Sequence, residues 1–274
     1  MNVKNVIEEK EKMKILKNAG TFTVLSKTED VISAIASAAR TCYKSEDKAS
    51  PENDLKLVQN LVTRGHTAML EFADMTVRFE HVSRGFTHEL VRHRLASYAQ
   101  ESTRYVDESD FEVVVPPHKD EDDKKAIKSM LIGECCEEDI SLNEWFKKNE
   151  EAYRSLRKQG WKPEDARQVL PTAIKADIVV KANLQEWCHI FSKRCDKAAH
   201  WEIRKVMCDL LKWCQAEIPV VFNDFHVFNY NKQDEFARKI MTEKQLKDEI
   251  SYYLSANNIT FDDGLSNLIK GIKS

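Results

Sequence analysis

The sequence predicts an α+β protein: a mixed or antiparallel β-sheet flanked by helices, with a peripheral helical insertion at residues 119–160. Residues 21–25 and 111–115 are rich in β-branched and apolar side chains, and Met75, Val77 and Phe79 alternate with polar neighbours as in a half-buried strand. Residues 31–42, 55–64 and 182–218 instead repeat apolar side chains at helical spacing. Pro116-Pro117 stops the 111–115 strand, and a sheet with antiparallel neighbours is expected.

In chain order, a charged start at 1–17 leads to the first strand and then to a helix over 31–42, whose apolar stripe is Ile32, Ile35, Ala36 and Ala39. Residues 43–54 carry Ser, Asp and Pro51 and read as a loop. The helix over 55–64 ends at Gly65, a residue type that tolerates the left-handed turn common at helix C-termini. After the strand at 75–79, Ser83 can cap a helix running to about Arg94. Residues 119–158 carry two charged helical stretches, interrupted near Gly133 and Glu137-Glu138-Asp139. Gly160 closes the second stretch. Pro163 with Glu164 and Asp165 opens another helix, since proline suits a first turn and acids favour the positive end of the helix dipole. Within 182–218, Ala199, Ile203, Val206, Leu210 and Cys214 form one core stripe. The expected division is a main domain over 1–225 and a C-terminal helical extension over 226–274.

With 274 residues and 42% apolar side chains, the chain can bury a sizeable core. Its 42 basic and 45 acidic residues leave a net charge of -3, so no global field draws it to nucleic acid or anionic lipid. Any anion must be held locally. The seven cysteines (Cys42, Cys135, Cys136, Cys188, Cys195, Cys208 and Cys214) include no C-x-x-C and no histidine at zinc spacing, so reduced thiols and no metal site are expected. The charged N-terminus lacks a signal-peptide core, and no stretch approaches the roughly 20 apolar residues that span a bilayer. A cytoplasmic protein without membrane partners is expected.

Chemistry concentrates in Arg92-His93-Arg94-Leu95-Ala96-Ser97-Tyr98-Ala99-Gln100-Glu101-Ser102-Thr103-Arg104-Tyr105. A guanidinium offers a planar fork of donors that matches phosphate oxygens in pairs, so three arginines here suit a phosphorylated ligand. The structural alternative is that Arg92 and Arg94 form surface ion pairs with Glu89 and Glu101, each worth about 0 to 1 kcal/mol.

Arg-His-Arg, seven intervening residues, then Ser102 and Arg104-Tyr105 resemble the signature of the flavin-dependent thymidylate synthases. Four further blocks are similar to that family and follow its order: Ala38-Ala39-Arg40-Thr41-Cys42-Tyr43; Gly65-His66 with Glu71; Ala166-Arg167-Gln168-Val169-Leu170-Pro171; and Asn183 through Arg194 to Trp201-Glu202-Ile203. The resemblance covers about residues 20 to 225, apart from much of the 119–160 segment. It implies the flavin-dependent thymidylate synthase fold and methylation of dUMP to dTMP. FAD, NADPH or NADH, and 5,10-methylenetetrahydrofolate would take part, in a homotetramer with sites between subunits.

The same resemblance assigns FAD contacts to His66, Ala68, Arg92, His93, Arg94, Gln100, Asn183, Gln185 and His189. It assigns dUMP contacts to Glu89, Arg92, Gln100, Glu101, Ser102, Arg104, Arg167 and Arg194. Arg104 and Arg167 suit the phosphate because each fork can pair two oxygens. Arg194 corresponds to the arginine set beside the pyrimidine carbonyl and N3, where a fixed positive charge would stabilise developing negative charge. An ion pair with Asp196 or Glu202 is its structural alternative, and a backbone-bonded loop histidine is that of His66. Ser102 reads as a hydrogen-bonding contact, since no Ser-His-acid set is evident nearby. Cys188, Cys195, Cys208 and Cys214 read as packing residues. Gln100 stands where many relatives have glutamate, and His189 where asparagine is frequent.

Two rivals come from other classes. A nucleic-acid module would set Arg92, Arg94 and Arg104 on phosphates and stack Tyr98 or Tyr105 on bases, but the net acidity opposes it. An inactive scaffold would not need so complete an arginine set. Seven glycines and no G-x-G-x-x-G argue against a Rossmann flavoprotein, so FAD is expected to be held by side chains and helix ends.

Overall fold

The computed structural model describes residues 13–119, 122, 127–130, 137–223, 225–228 and 237–240. In its first half, β1 (Lys14–Lys17) and β2 (Thr21–Lys27) precede α1 (Val31–Tyr43) and α2 (Pro51–Thr63). A 3-10 segment (Thr67–Phe72) leads to β3 (Asp74–Ser83), α3 (Arg84–Leu90), β4 (Ala96–Gln100) and β5 (Glu112–Val115). Then come β6 (Ile127–Met130), β7 (Glu137–Ile140), α4 (Leu142–Lys158), α5 (Pro163–Ala166) and a 3-10 turn (Arg167–Val169). The second half continues with β8 (Lys175–Asn183), α6 (Leu184–Arg194), α7 (Trp201–Glu217), α8 (Pro219–Phe222), β9 (Phe225–Phe228) and β10 (Ala237–Ile240).

The central sheet has the order β2-β3-β8-β4, with every neighbour antiparallel. Alternation fixes which face is covered: Met75, Val77 and Phe79 of β3 and Ile178, Val180 and Ala182 of β8 point inward, whereas Arg78 and Lys181 lie on the open face. Helices α1, α2, α6 and α7 pack with the inner face in one apolar cluster around Trp187, whose indole donates to the Met75 carbonyl at 3.1 Å. The expected stripe of α7 is buried at Ile203, Val206, Leu210 and Cys214; Ala199 precedes the helix and packs against the cluster from its edge. A smaller cluster of Met13, Phe111, Val113, Val115, Phe146 and Ile174 joins β5 to α4, and β1 pairs with β5 in parallel, so the strand pairing is mixed.

Two buried polar contacts tie these layers together. Arg40 of α1 donates from Nε and Nη2 to Asp54 of α2, with Nη1 on the Ser45 carbonyl. Glu202 of α7 accepts from the Ser83 main-chain N–H and hydroxyl, both at 2.6 Å, while the Ser83 hydroxyl also caps α3 at Phe86. A bulge between Phe79 and Val82 sets up the second contact. His81 takes φ +56 within it and donates its N–H to Asp177, and the extra residue leaves Val82 and Ser83 both buried at the sheet end.

Several elements differ from their expectation. The helix read to Arg94 stops at Leu90, and the stretch after it turns and becomes β4. The 182–218 pattern is two helices parted by residues 195–200, preceded by β8, whose alternation extends into residues read as helical. Residues 51–54 belong to α2, with Ser50 as N-cap and Pro51 in the first turn. Among the described residues of the 119–160 segment, β6 lies within the first expected helical stretch and pairs antiparallel with β7, and only α4 is helical. In place of the helix expected at the start of the tail, β9 and β10 pair antiparallel. Short apolar runs carry no periodicity that separates a strand from a helical turn. The expected helix over 241–274 lies outside the described residues. No helix among the described residues is long and apolar enough to cross a membrane.

Candidate active site

The end of α3 and the turn after it face the C-terminal end of α6. Ser83 starts α3 and Asn183 starts α6, each by accepting a main-chain N–H three residues on, so both helices have fixed phase where they leave the central strands β3 and β8. That phase brings Glu89, His93 and Arg194 together. Arg194 donates from Nη1 to Glu89 Oε2 at 2.7 Å, from Nη2 to the Glu89 carbonyl at 2.8 Å and from Nε to His93 Nε2 at 3.0 Å. The partner of Arg194 is therefore Glu89, and neither Asp196 nor Glu202. Arg92 lines the same cavity of about 560 Å³, together with His88, Glu89, Val91 and Arg194.

His93 is buried. Burial first, then the charge of Arg194, lowers its pKa to about 4, so the ring is neutral near pH 7. Because Nε2 accepts from Arg194, the ring proton sits on Nδ1, 3.6 Å from Glu186 Oε1. Burial raises the pKa of Glu186. His189 meets His93 edge-on, with ring centroids 5.4 Å apart. Ligand atoms of His93, Glu186 and His189 lie within 4.8 Å of one another, a grouping that can be tested as a metal site. The hydrogen bonding opposes that use. A metal-bound imidazole ordinarily donates its other N–H, whereas here the other nitrogen already faces a guanidinium donor.

Tyr98 of β4 fixes the Arg-His-Arg turn from below, its hydroxyl lying 2.6 Å from the His93 carbonyl and 2.9 Å from that of Leu90. Burial raises the Tyr98 pKa to about 12, which keeps that donor protonated. Arg92 and Arg94 stay exposed on the turn.

A second cavity, about 240 Å³, shares His88 with the first and is lined by Arg84, Thr103, Arg167 and Gln168 among others. Arg167 donates to Thr103 Oγ1 at 3.3 Å and to the Glu164 carbonyl at 3.2 Å, and Arg104 lies 3.5 Å from the Glu164 carboxylate. Arg104 and Arg167 thus meet around one residue. Arg84 was not signalled by the sequence: it holds the Glu101 carbonyl with Nη2 at 2.8 Å, while its buried Nε has no hydrogen-bond partner. Burial, and then Arg167, lowers its pKa. No motif marks Arg84 or Glu186; each is only an ordinary first-turn residue of its helix.

The other nominated residues are more dispersed. Gln100 turns inward and donates to Thr87 Oγ1 at 2.9 Å, and the Thr87 hydroxyl in turn donates to the Arg84 carbonyl. The Glu101 carboxylate accepts from the Asp177 N–H, beside the open sheet face. Ser102 Oγ accepts from the Arg104 N–H within a turn and has no histidine or acid bonded to it. Cys188, Cys195, Cys208 and Cys214 are buried, and burial raises the Cys188 thiol to about 12, as suits packing residues.

For a flavin, three features fit. Gln185 Oε1 is buried with no hydrogen-bond partner, His189 is exposed beside it on α6, and the Asn183 amide oxygen is used in capping while its nitrogen has no such duty. The 3-10 segment after exposed His66 carries Ala68 and packs on α6, with Leu184 N–H bonded to the Ala73 carbonyl.

Known proteins resemble this chain in sequence and in fold. The family described as thymidylate synthase complementing protein matches residues 23–220. A flavin-dependent thymidylate synthase of Geobacter sulfurreducens is 34% identical over 211 residues, covering 74% of this chain and 85% of the relative. One of Corynebacterium glutamicum is 36% identical over 197 residues, covering 69% and 78%. The crystal structure of a UMP/dUMP methylase, PolB from Streptomyces cacaoi bound with 5-Br dUMP, shares the fold with a TM-score of 0.61 at 18% identity, over 77% of this chain and 96% of that one.

Proposed function

Because the chain belongs to the flavin-dependent thymidylate synthases, we propose that it converts dUMP to dTMP with FAD, reduced by NADPH or NADH, and with 5,10-methylenetetrahydrofolate as carbon donor. The observation that carries this reading is the guanidinium of Arg194, fixed at three points beside Arg92 in an open cavity. FAD supplies the redox chemistry; the protein's part is to orient ligands and stabilise charge.

On this reading Arg194 faces the pyrimidine and offsets charge as it develops on the ring. Glu89 and neutral His93 hold that guanidinium in place. Arg104 and Arg167, with Ser102 and Glu101 nearby, take the phosphate; Gln100 acts from behind the site through Thr87. Arg92, His93, Arg94, His66, Ala68, Asn183, Gln185 and His189 contact the flavin, and the unpartnered Gln185 oxygen supports this.

Arg92 and Arg194 line one half of the proposed site and Arg167 the other, in separate cavities that share His88, and on this reading one nucleotide is held by halves from different copies of the chain. Leu95 at 77% and Tyr105 at 78% exposure flank these halves, which supports a partner subunit covering them in a homotetramer. Residues 1–225 form the catalytic domain on this reading, and 226–274 an extension to it. A cytoplasmic setting, without nucleic acid or membrane partners, accords with the small substrate.

The test is the absorbance spectrum of the purified protein. A flavin band should bleach on adding NADPH, and dTMP should form when dUMP and 5,10-methylenetetrahydrofolate follow. A colourless protein that forms no dTMP after FAD is added would overturn the proposal.

A further inference from the structure

One face of α4 grips both stretches that carry Arg104 and Arg167. Arg157 donates from Nε to Asp107 Oδ2 at 3.1 Å, with Nη2 in ion-pair contact at 3.1 Å from the same oxygen, and from Nη1 to the Trp161 carbonyl at 2.5 Å. One turn earlier, Arg154 donates to the Ser109 carbonyl at 2.6 Å, and the buried Tyr153 hydroxyl accepts from the Glu108 N–H at 3.2 Å. The Asp107 carboxyl is held below its ordinary range, first by the Ser109 hydroxyl and also by Arg157, so it stays charged. Asp107 is three residues beyond Arg104, and Trp161 is three residues before Glu164, the residue that both Arg104 and Arg167 contact.

These contacts close a ring. It runs from Arg157 through Asp107 along the chain to Arg104, across to Glu164, and back along the chain to Trp161 and Arg157. The exposed turn at 104–106 has little else to fix it: Tyr105 and Val106 N–H groups both rest on the Ser102 carbonyl, and no buried side chain anchors the three. A site that pairs oxygens with two guanidinium forks needs those forks at a set spacing.

We propose that Arg157 is a positioning residue for nucleotide phosphate binding: it does not touch the ligand but sets the spacing of Arg104 and Arg167 by fastening residues 107 and 161 to α4. This rests on reading Arg104 and Arg167 as the phosphate holders. It also gives a purpose to a helix of the 119–160 segment that the signature residues leave unexplained.

The test compares dUMP with deoxyuridine, which lacks the phosphate. In Arg157→Met the KM for dUMP should rise about tenfold with kcat within about twofold, while deoxyuridine binding and flavin content stay unchanged. Arg157→Lys should recover part of the loss, since it restores a positive charge facing Asp107 but not the fork. Asp107→Asn should reproduce the effect without altering α4, and so decides the matter if Arg157→Met fails to fold. An unchanged KM for dUMP in these variants, or equal losses for dUMP and deoxyuridine, would overturn the proposal. If the wild-type protein bound deoxyuridine as tightly as dUMP, the phosphate assignment itself would fall and take this role of Arg157 with it.

Discussion

Arg194 grips Glu89 twice, through the side-chain carboxylate at 2.7 Å and the main-chain carbonyl at 2.8 Å, so the guanidinium is locked to α3 from the end of α6. Its charge therefore points in one direction without help from a ligand, which is the preorganisation that makes a fixed cation effective against a developing anion.

Replacing Arg194 by alanine should lower dTMP formation by roughly 100-fold to 1,000-fold, the scale found when one such preorganised donor is removed. The far-ultraviolet circular dichroism should be unchanged. Arg194 sits at the edge of the core, with its side chain 19% exposed, so the fold does not depend on it. Near-normal turnover in this variant would remove Arg194 from the chemistry.

Glu108 gives the protein an inverted response to pH. It is buried, and burial followed by the nearby charge of Glu101 raises its pKa from 4.5 to about 7. A carboxyl that keeps its proton longer in the folded state than in the unfolded one contributes its full stability below pH 4.5 and loses it as pH climbs through 7. Glu108→Gln should therefore be more stable than wild type by roughly 1–3 kcal/mol at pH 8 and equal to it near pH 4, as read by urea denaturation at both values.

His93 slopes the other way. Its folded pKa of about 4 lies below the ordinary 6.5, so its contribution is complete above pH 6.5 and is lost as pH falls toward 4. His93→Gln keeps an acceptor for Arg194, and it should reduce the acid sensitivity of the melting temperature between pH 6.5 and pH 4.

Gly20→Ala should destabilise the fold by about 1–3 kcal/mol. Gly20 takes φ +92, and a Cβ there would lie 2.7 Å from Val206 Cγ2 in the core. A calorimetric melting point within a degree of wild type would contradict this.

How far the sequence revealed all this depended on the kind of signal. Met75, Val77 and Phe79 announced a strand because period-two alternation has no helical reading, and Ser83 announced a cap because it directly precedes a turn of helix. β8 was hidden in a similar alternation that ran into a strongly helical stretch at Asn183, where the cap residue marks the change. β4 was hidden because the chain leaves α3 through exposed, charged Arg92 and Arg94, and the polar face of a short strand has no periodicity to report. Arg92 and His93 were nominated through the signature and Arg194 through a separate block, and the structure brings all three to one place. The triple grip of Arg194, the silent Arg84 and the role of Glu186 were not legible, since each arises from residues brought together by packing rather than by spacing.

The amide at position 100 gives one strut of the fold a polarity. Gln100 can give a hydrogen to Thr87, whose own hydrogen is thereby released to the carbonyl at the first residue of α3. A glutamate in that place would present a second acceptor to a hydroxyl with only one hydrogen to offer, and either β4 or the start of the helix would go unserved. A single change of functional group thus removes one of the two bonds that bracket the strand to the helix, with no change in shape.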